Sequence, residues 1–128
     1  MKLLLDSHVF LWTIADDRRL SGTASRLILD QGNELFLSTA SVWEIFLKVQ
    51  IGKLPLPRPV GGFLKLQLAE NFIRSLPLTL EHVLKLEQLP MHHRDPFDRI
   101  LIAQAIAESV PIVTADRQFA RYDVETIW

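Results

Sequence analysis

Four carboxylates lie far apart in the chain, each at or just past the end of an apolar run: Asp6, Glu44, Asp98 and Asp116. In a protein of alternating strands and helices, such positions converge at one edge of the sheet. Four ionised carboxylates within about 5 Å would repel by roughly 3 kcal/mol per pair at an effective dielectric near 20, so protonation or a cation must relieve the repulsion. Because oxygen-only ligands favour Mg²⁺ or Mn²⁺, the pattern predicts a divalent metal site.

Two of these acids also fit ordinary roles at helix starts. The segment from Ser41 to Glu44 matches a capping box, and Glu44 could also pair with Lys48 one helical turn later. Asp95 fits an N-cap, which places Asp98 in the first turn of the helix that follows. Taken singly, Glu44 and Asp98 could therefore be structural.

The other two acids follow predicted strands and could cap the turns that come next. The four explanations are not independent, however. In a parallel sheet, the strands that end at Asp6 and Thr114 deliver Asp6 and Asp116 to the same edge. The N-termini of the helices that carry Glu44 and Asp98 point to that edge as well, which favours one shared pocket.

Apolar runs alternate with helix-period segments along the chain, as is typical of βαβ units around a parallel sheet. We predict five strands, near Lys2–Leu5, Glu34–Leu37, Phe72–Leu76, Pro111–Thr114 and Val124–Ile127. We predict six helices, near His8–Ile14, Gly22–Asp30, Val42–Ile51, Val60–Glu70, Leu80–Gln88 and Pro96–Glu108. Ser21 and Thr79 are the predicted caps of the second and fifth helices. The proline-rich segment Leu54–Gly62 is too short to separate two domains.

Composition limits the class of protein. The 128 residues, 48% of them hydrophobic, fit one compact domain over residues 1–128. A net charge of −1 gives no global basic field, so any contact with nucleic acid requires a local patch. The absence of cysteine excludes disulfides and thiol catalysis. Asp6 and His8 interrupt the first apolar run too early for a secretory signal, and no segment has the length of a membrane span, so we expect a cytoplasmic protein.

Four blocks of the sequence carry a family resemblance: LLLDSHVFLW, STASVWEI, HRDPFDRILIAQA and IVTADRQF. Together they resemble the PIN-domain ribonucleases, in particular the VapC-type toxins of bacterial toxin-antitoxin pairs, and their order and spacing agree from Met1 to Trp128. The resemblance implies a three-layer α/β/α domain, in the α/β class, with a central, mostly parallel five-stranded sheet. It also implies endonucleolytic cleavage of RNA that depends on Mg²⁺ or Mn²⁺.

The resemblance assigns roles to particular residues. It matches the four acids of the family to Asp6, Glu44, Asp98 and Asp116. The first, third and fourth of these would hold the metal directly or through water, and Glu44 would either ligate it or orient the attacking water. Thr114 falls where PIN domains often carry a hydroxyl beside the metal, and Ser7 is a candidate for a supporting hydrogen bond.

Basic and aromatic residues near the acids are the candidates for RNA contact. Arg94, Arg99 and Arg117 adjoin proposed metal ligands and are the predicted contacts, although at least half of such charges are expected to be only solvated. His92 and His93 could contact the RNA backbone but are expected to be idle in an exposed loop. His8 could approach the metal but is expected to pack or face solvent. Trp12 and Trp43 are expected to pack in the core or an interface rather than stack on bases.

A surplus of apolar residues suggests partners. The segment from Val9 to Ile14 and the residues Phe46, Ile51, Leu54 and Leu56 either fill the core or form an association patch. In VapC-like proteins such surfaces support a homodimer and the docking of a small antitoxin, so the resemblance implies both. The RNA that is cleaved cannot be predicted from these residues.

Two other classes of protein compete with this interpretation. A signalling receiver domain also has a Mg²⁺ site in an acidic pocket, but it needs an acidic pair after its first strand and a lysine on a late strand. Here Asp6 is followed by Ser7 and His8, and the last strand has no lysine. A binding module with a PIN fold and no chemistry is the other alternative, and the complete set of acids argues against it.

Overall fold

A parallel sheet of five strands forms the middle layer of the protein, whose computed structural model describes residues 1–128. The strands are β1 (Lys2–Leu5), β2 (Glu34–Ser38), β3 (Ile73–Leu76), β4 (Ile112–Val113) and β5 (Thr126–Ile127). They lie in the order β3-β2-β1-β4-β5, and every neighbouring pair is parallel. All five predicted strands are confirmed, with ends that shift by one or two residues.

Six α-helices connect and cover these strands: α1 (Ser7–Ile14), α2 (Gly22–Leu29), α3 (Thr39–Gln50), α4 (Val60–Glu70), α5 (Leu80–Leu84) and α6 (Pro96–Glu108). Two 3₁₀ helices, Lys85–Gln88 and Arg117–Arg121, complete the elements, and the first of them forms the last part of the predicted fifth helix. The predicted caps are confirmed, since Ser21 accepts the Ala24 N–H and Thr79 accepts the His82 N–H.

The start of α3 differs from the prediction. The helix begins at Thr39, and its N-cap is Ser38, whose hydroxyl accepts the Ala40 N–H at 3.1 Å. The predicted capping box at Ser41 is therefore wrong, and Ser41 lies buried in the first turn. The physical reason is that β2 runs directly into α3, so its last residue also serves as the cap.

This arrangement gives a test of helix capping. The Ser38→Ala variant is expected to lower the free energy of unfolding by about 1 kcal/mol, because the Ala40 N–H loses its side-chain partner. The Ser41→Ala variant is the matched control and is expected to have a smaller effect, since Ser41 caps nothing. Urea unfolding measures both, and equal losses for the two variants would contradict the assignment of the cap.

Two hydrophobic clusters lie on opposite faces of the sheet because consecutive strand residues point to opposite sides. Leu3 and Leu5 belong to one cluster, together with residues of α1 to α4. Leu4 belongs to the other, which includes three residues of α6. All three leucines are fully buried, as expected for a strand that is covered on both faces. The predicted three-layer α/β/α architecture is therefore confirmed.

Most of the apolar surplus fills this core. Val9 and Phe10 are fully buried, and Phe46, Leu54 and Leu56 pack against the first cluster. An exposed apolar ridge remains along α3 and its C-cap residue, at positions spaced by four residues: Trp43, Leu47 and Ile51. Trp43 is 60% exposed and therefore does not pack in the core. None of the helices combines the length and the apolar character that crossing a bilayer requires.

Candidate metal centre

Asp6 and Thr114 meet where two neighbouring strands end. The Asp6 N–H donates to the Val113 carbonyl at 3.0 Å. This hydrogen bond extends the pairing of β1 and β4 by one residue beyond the end of β1. The Asp6 carboxylate occupies the N-cap position of α1 but makes no capping hydrogen bond. Its Oδ2 instead accepts the Thr114 hydroxyl at 2.8 Å. Ordinary helix capping therefore does not explain Asp6.

Asp116 is joined to the same group. Its N–H donates to Thr114 Oγ1 at 3.0 Å, so one threonine contacts both acids. Asp116 Oδ1 caps the following 3₁₀ helix by accepting the Gln118 N–H at 2.9 Å, as the sequence suggested. Its Oδ2 makes no contact with that helix cap and faces the acidic pocket instead.

Glu44 reaches the pocket from the second turn of α3 and is only 8% exposed. The Ser7 hydroxyl donates to Glu44 Oε1 at 2.7 Å, which is a supporting hydrogen bond of the kind predicted for Ser7. Lys48 Nζ lies 3.7 Å from Oε2, so the predicted pairing along the helix is also present. Glu44 is thus held at both carboxylate oxygens.

Asp98 lies at the centre of the group. Asp95 caps α6, since its Oδ1 accepts the Phe97 N–H at 2.8 Å and the Asp98 N–H at 3.3 Å. That cap fixes the first turn, from which the Asp98 carboxylate points into the pocket. Ligand atoms of Glu44, Asp95 and Asp98 lie within 4.8 Å of one another. Asp95 is therefore close enough to contribute charge to the site as well as the cap.

His93 also lies in this pocket, which the sequence did not predict. Its Nε2 is 3.0 Å from Asp98 Oδ2 and 3.1 Å from Asp116 Oδ2. The expectation of an idle, exposed histidine is wrong, because only 12% of the side chain is exposed. The loop before α6 is held by Tyr122, whose hydroxyl accepts the His93 N–H at 2.8 Å. In the sequence, the only nearby sign that His93 enters the pocket is its position two residues before Asp95, the cap of α6.

The three arginines that were predicted to contact RNA differ in exposure and in hydrogen bonding. Arg94 and Arg117 are exposed, and neither takes part in an ion pair. The Arg99 guanidinium instead folds back onto the loop, donating to the Pro90 carbonyl at 2.9 Å and to Tyr122 Oη at 3.3 Å. Arg99 therefore shapes the loop that carries His93, and its donors are turned to that loop.

The pocket disfavours the state in which all of its carboxylates are ionised. Burial raises the pKa of Asp98 from its ordinary 3.8 to about 8, and four neighbouring carboxylates add to the shift. In order of effect they are Asp6, Asp95, Glu44 and Asp116. Burial also raises the pKa of Asp6, although the hydrogen bond from Thr114 opposes that shift. Since a charge shifts a pKa mainly over about 4–6 Å, the acids from four distant segments form one electrostatic unit.

This unit has the chemistry of a divalent metal site. The ligand atoms are carboxylate oxygens, which hard cations prefer, and a dication would offset the repulsion that, after burial, raises the pKa of Asp98. Asp6, Asp98 and Asp116 are the candidates to hold the cation, with Glu44 beside them. A cavity of about 630 Å³ elsewhere in the molecule contains none of these acids and opens near the amino ends of the strands, beside Asn33 and Phe72.

The raised pKa of Asp98 predicts a pH dependence of metal binding. Below about pH 8, a cation must displace the Asp98 proton, so the apparent affinity for Mn²⁺ is expected to rise by up to about tenfold per pH unit between about pH 6 and pH 8. Isothermal titration calorimetry at several pH values measures this slope. An affinity that stays constant over the range would contradict it.

Known proteins resemble this chain both in sequence and in fold. The sequence profile of the PIN domain matches residues 3–125. Ribonuclease VapC22 of Mycobacterium tuberculosis is 35% identical over 117 residues, which cover 91% of this chain and 88% of that protein.

Several solved structures have a similar fold. VapBC2 from Rickettsia felis, bound to a DNA fragment from its promoter, gives a TM-score of 0.73 at 15% identity and covers 99% of this chain and 98% of the other. DNA-bound VapBC from Salmonella typhimurium gives 0.72 at 15% identity, with 99% and 97% covered. FitAcB from Neisseria gonorrhoeae gives 0.70 at 20% identity, with 98% and 96% covered. At these identities the likeness shows a common fold.

Proposed function

The chain belongs to the PIN-domain family, and from this premise we propose that it is a metal-dependent endoribonuclease, the toxin of a toxin-antitoxin pair, with residues 1–128 as one PIN domain. The observation that carries the proposal is the meeting of four carboxylates from distant segments around Asp98. The name of the relative, a ribonuclease, supports RNA as the substrate.

The proposed metal is Mg²⁺ or Mn²⁺, held by Asp6, Asp98 and Asp116. When bound, the cation supplies positive charge that offsets the charge of the reacting phosphate and makes water more acidic. The protein positions these ligands by rigid means: Thr114 fixes Asp6, and helix caps fix Asp98 and Asp116.

Glu44 has the role of orienting the attacking water. Ser7 and Lys48 hold its two oxygens, so the carboxylate has a fixed direction into the pocket. In the hydrolysis, a bond forms between the water oxygen and phosphorus while the bond from phosphorus to the 3′ oxygen breaks. The attacking water gives up a proton, the 3′ oxygen takes one up, and the products carry a 5′-phosphate and a 3′-hydroxyl. No covalent intermediate with the protein is needed.

Arg94 and Arg117 are the proposed contacts to the RNA backbone, because both are exposed beside the metal ligands and free of ion pairs. Arg99 is left out of this role because its donors are engaged with the loop. We also propose a small antitoxin and a homodimer as partners. The exposed ridge of Trp43, Leu47 and Ile51, next to Glu44, supports an association surface.

The strand order weighs against the receiver alternative. Receiver domains of the flavodoxin-like type have the order 2-1-3-4-5. Here the order is β3-β2-β1-β4-β5, so β2 separates β1 from β3. The chemistry of the site weighs against a module without catalysis, because a passive binding surface has no need for a buried acid whose pKa is raised to about 8.

The proposed function is tested by digesting total cellular RNA with the wild type and with the Asp98→Asn variant, in Mg²⁺, and mapping the new 5′ ends. We expect discrete new 5′-phosphate ends with the wild type and none with the variant. The same ends in both digests would show that a contaminating nuclease made them, and no new ends would count against RNA cleavage. The mapped ends also identify the RNA.

A further inference from the structure

His93 has a fixed tautomer in this structure. The Asp95 backbone N–H donates to His93 Nδ1 at 3.2 Å, and a backbone N–H can only donate. Nδ1 is therefore the acceptor nitrogen of the ring, and the hydrogen of the imidazole lies on Nε2. That N–H faces Asp98 Oδ2 at 3.0 Å and Asp116 Oδ2 at 3.1 Å.

The ring is held in this position from several sides. Tyr122 Oη accepts the His93 backbone N–H at 2.8 Å, and Arg99 donates to the same hydroxyl from the start of α6. The ring also packs edge-on against Phe119, with centroids 5.8 Å apart. These contacts come from two separate parts of the chain, the first turn of α6 and the segment from Phe119 to Tyr122, so the direction of the Nε2–H group is set by the fold.

We propose that, before metal binds, the Nε2–H group of His93 donates to Asp98 and Asp116, two of the carboxylates that would hold the cation, and that this group must move away from them when a divalent cation binds. The inference rests on the proposed metal site. A hydrogen that points at two carboxylate oxygens partly offsets the negative charge on them, as a cation does. A cation held by the same two carboxylates would need the oxygens that this hydrogen faces, so the two would compete.

His93 is by this account a positioning residue that acts through Asp98 and Asp116. It keeps the two carboxylates close together before the metal arrives, and it weakens metal binding by the energy of its own contacts. The opposite role, a nitrogen ligand of the metal, requires a bare Nε2 and a hydrogen on Nδ1. The Asp95 N–H leaves no room for a hydrogen on Nδ1.

Mn²⁺ affinity of the whole protein separates the two roles because they predict opposite signs. At pH 8.5, the His93→Ala variant is expected to bind Mn²⁺ roughly three- to tenfold more tightly than the wild type, since no side chain has to be displaced. The His93→Gln variant keeps an N–H donor at a similar reach and is expected to stay close to the wild type. A mutation that merely loosened the fold would weaken binding, so tightening is specific to competition.

Two further measurements make the test independent of one variant. The Tyr122→Phe variant removes the anchor of the His93 backbone and is expected to tighten Mn²⁺ binding by a smaller factor. In ¹⁵N NMR spectra of the imidazoles, His93 is expected to keep its hydrogen on Nε2 when Mg²⁺ is added. Transfer of that hydrogen to Nδ1 on adding Mg²⁺ is the sign of a ligand and would overturn the inference.

Different results would overturn the proposed metal site and the proposed role of His93. Unchanged or weakened Mn²⁺ binding by His93→Ala, with a wild type that binds Mn²⁺, overturns the role of His93 and leaves the metal site intact. A wild type that binds no Mn²⁺ at any concentration overturns the metal site and the role of His93 together.

Discussion

The Asp98→Asn variant is expected to lose RNA cleavage and to become more stable at the same time. Loss of one central metal ligand is expected to lower the cleavage rate by a factor of about 10³ or more, since such a metal contributes several kcal/mol to the transition state. In the metal-free protein the same substitution removes a carboxylate that burial and its neighbours disfavour. The Asp98 carboxylate is therefore needed for activity but lowers the stability of the metal-free protein.

The gain in stability depends on pH in a defined direction. The folded-state pKa of Asp98 is raised from 3.8 to about 8, so between these values the folded state holds a proton that the unfolded state has released. The stability of the wild type therefore falls as pH rises from about 4 to 8, at up to about 1.4 kcal/mol per pH unit. Asn carries no charge at any of these pH values, and its advantage grows over the same window.

Thermal unfolding in EDTA measures this gain. Because a fifth of the Asp98 side chain is exposed, solvent reduces the effect, and we expect about 2 kcal/mol at pH 8.5, or roughly 6 °C in Tm, with little difference near pH 4. Asp123→Asn is the matched control, an exposed acid outside the pocket that is expected to change little. A variant less stable than the wild type at pH 8.5 would contradict the electrostatic description of the pocket.

Removal of divalent metal is the second large effect. EDTA is expected to abolish RNA cleavage, and Mg²⁺ or Mn²⁺ to restore it, because the proposed reaction needs the positive charge that a cation would supply to this acidic pocket. The same cations are expected to raise Tm, since a ligand at one hundred times its Kd stabilises a protein by about 2.7 kcal/mol. Thermal unfolding with and without Mg²⁺ measures the shift.

The Asp98→Asn protein is the control for metal removal, because it keeps the fold while lacking the central ligand. It is expected to show little or no rise in Tm when Mg²⁺ is added. Full cleavage of RNA by the wild type in excess EDTA would exclude metal from the reaction. An equal rise in Tm for both proteins would place the cation elsewhere.

The strands and the four acids could be predicted because each depends on a local signal. A continuous apolar run such as Leu3 to Leu5 identifies a strand that is covered on both faces, and an acid at the end of such a strand lies at the edge of the sheet. The caps at Ser21, Thr79 and Asp95 were predictable for the same reason, since a cap and its partner lie within three residues of each other.

The misplaced and missed residues depend on contacts between distant parts of the chain. His93 enters the pocket because Tyr122, 29 residues later, accepts its backbone N–H. The predicted start of α3 was three residues too late because β2 runs directly into the helix, so the last strand residue, Ser38, is also the cap. Arg99 adjoins Asp98 in sequence, yet its side chain leaves the helix toward the Pro90 carbonyl. Adjacency in sequence does not fix the direction of a long side chain.

The central claim is that carboxylates around one cation direct water onto an RNA phosphate. Cleavage of RNA in H₂¹⁸O with Mg²⁺, followed by mass spectrometry of the products, tests it most directly. We expect one ¹⁸O atom in each new 5′-phosphate, and no such product with Asp98→Asn. Fragments that end in 2′,3′-cyclic phosphate and 5′-hydroxyl, made by the wild type and independent of metal, would contradict it.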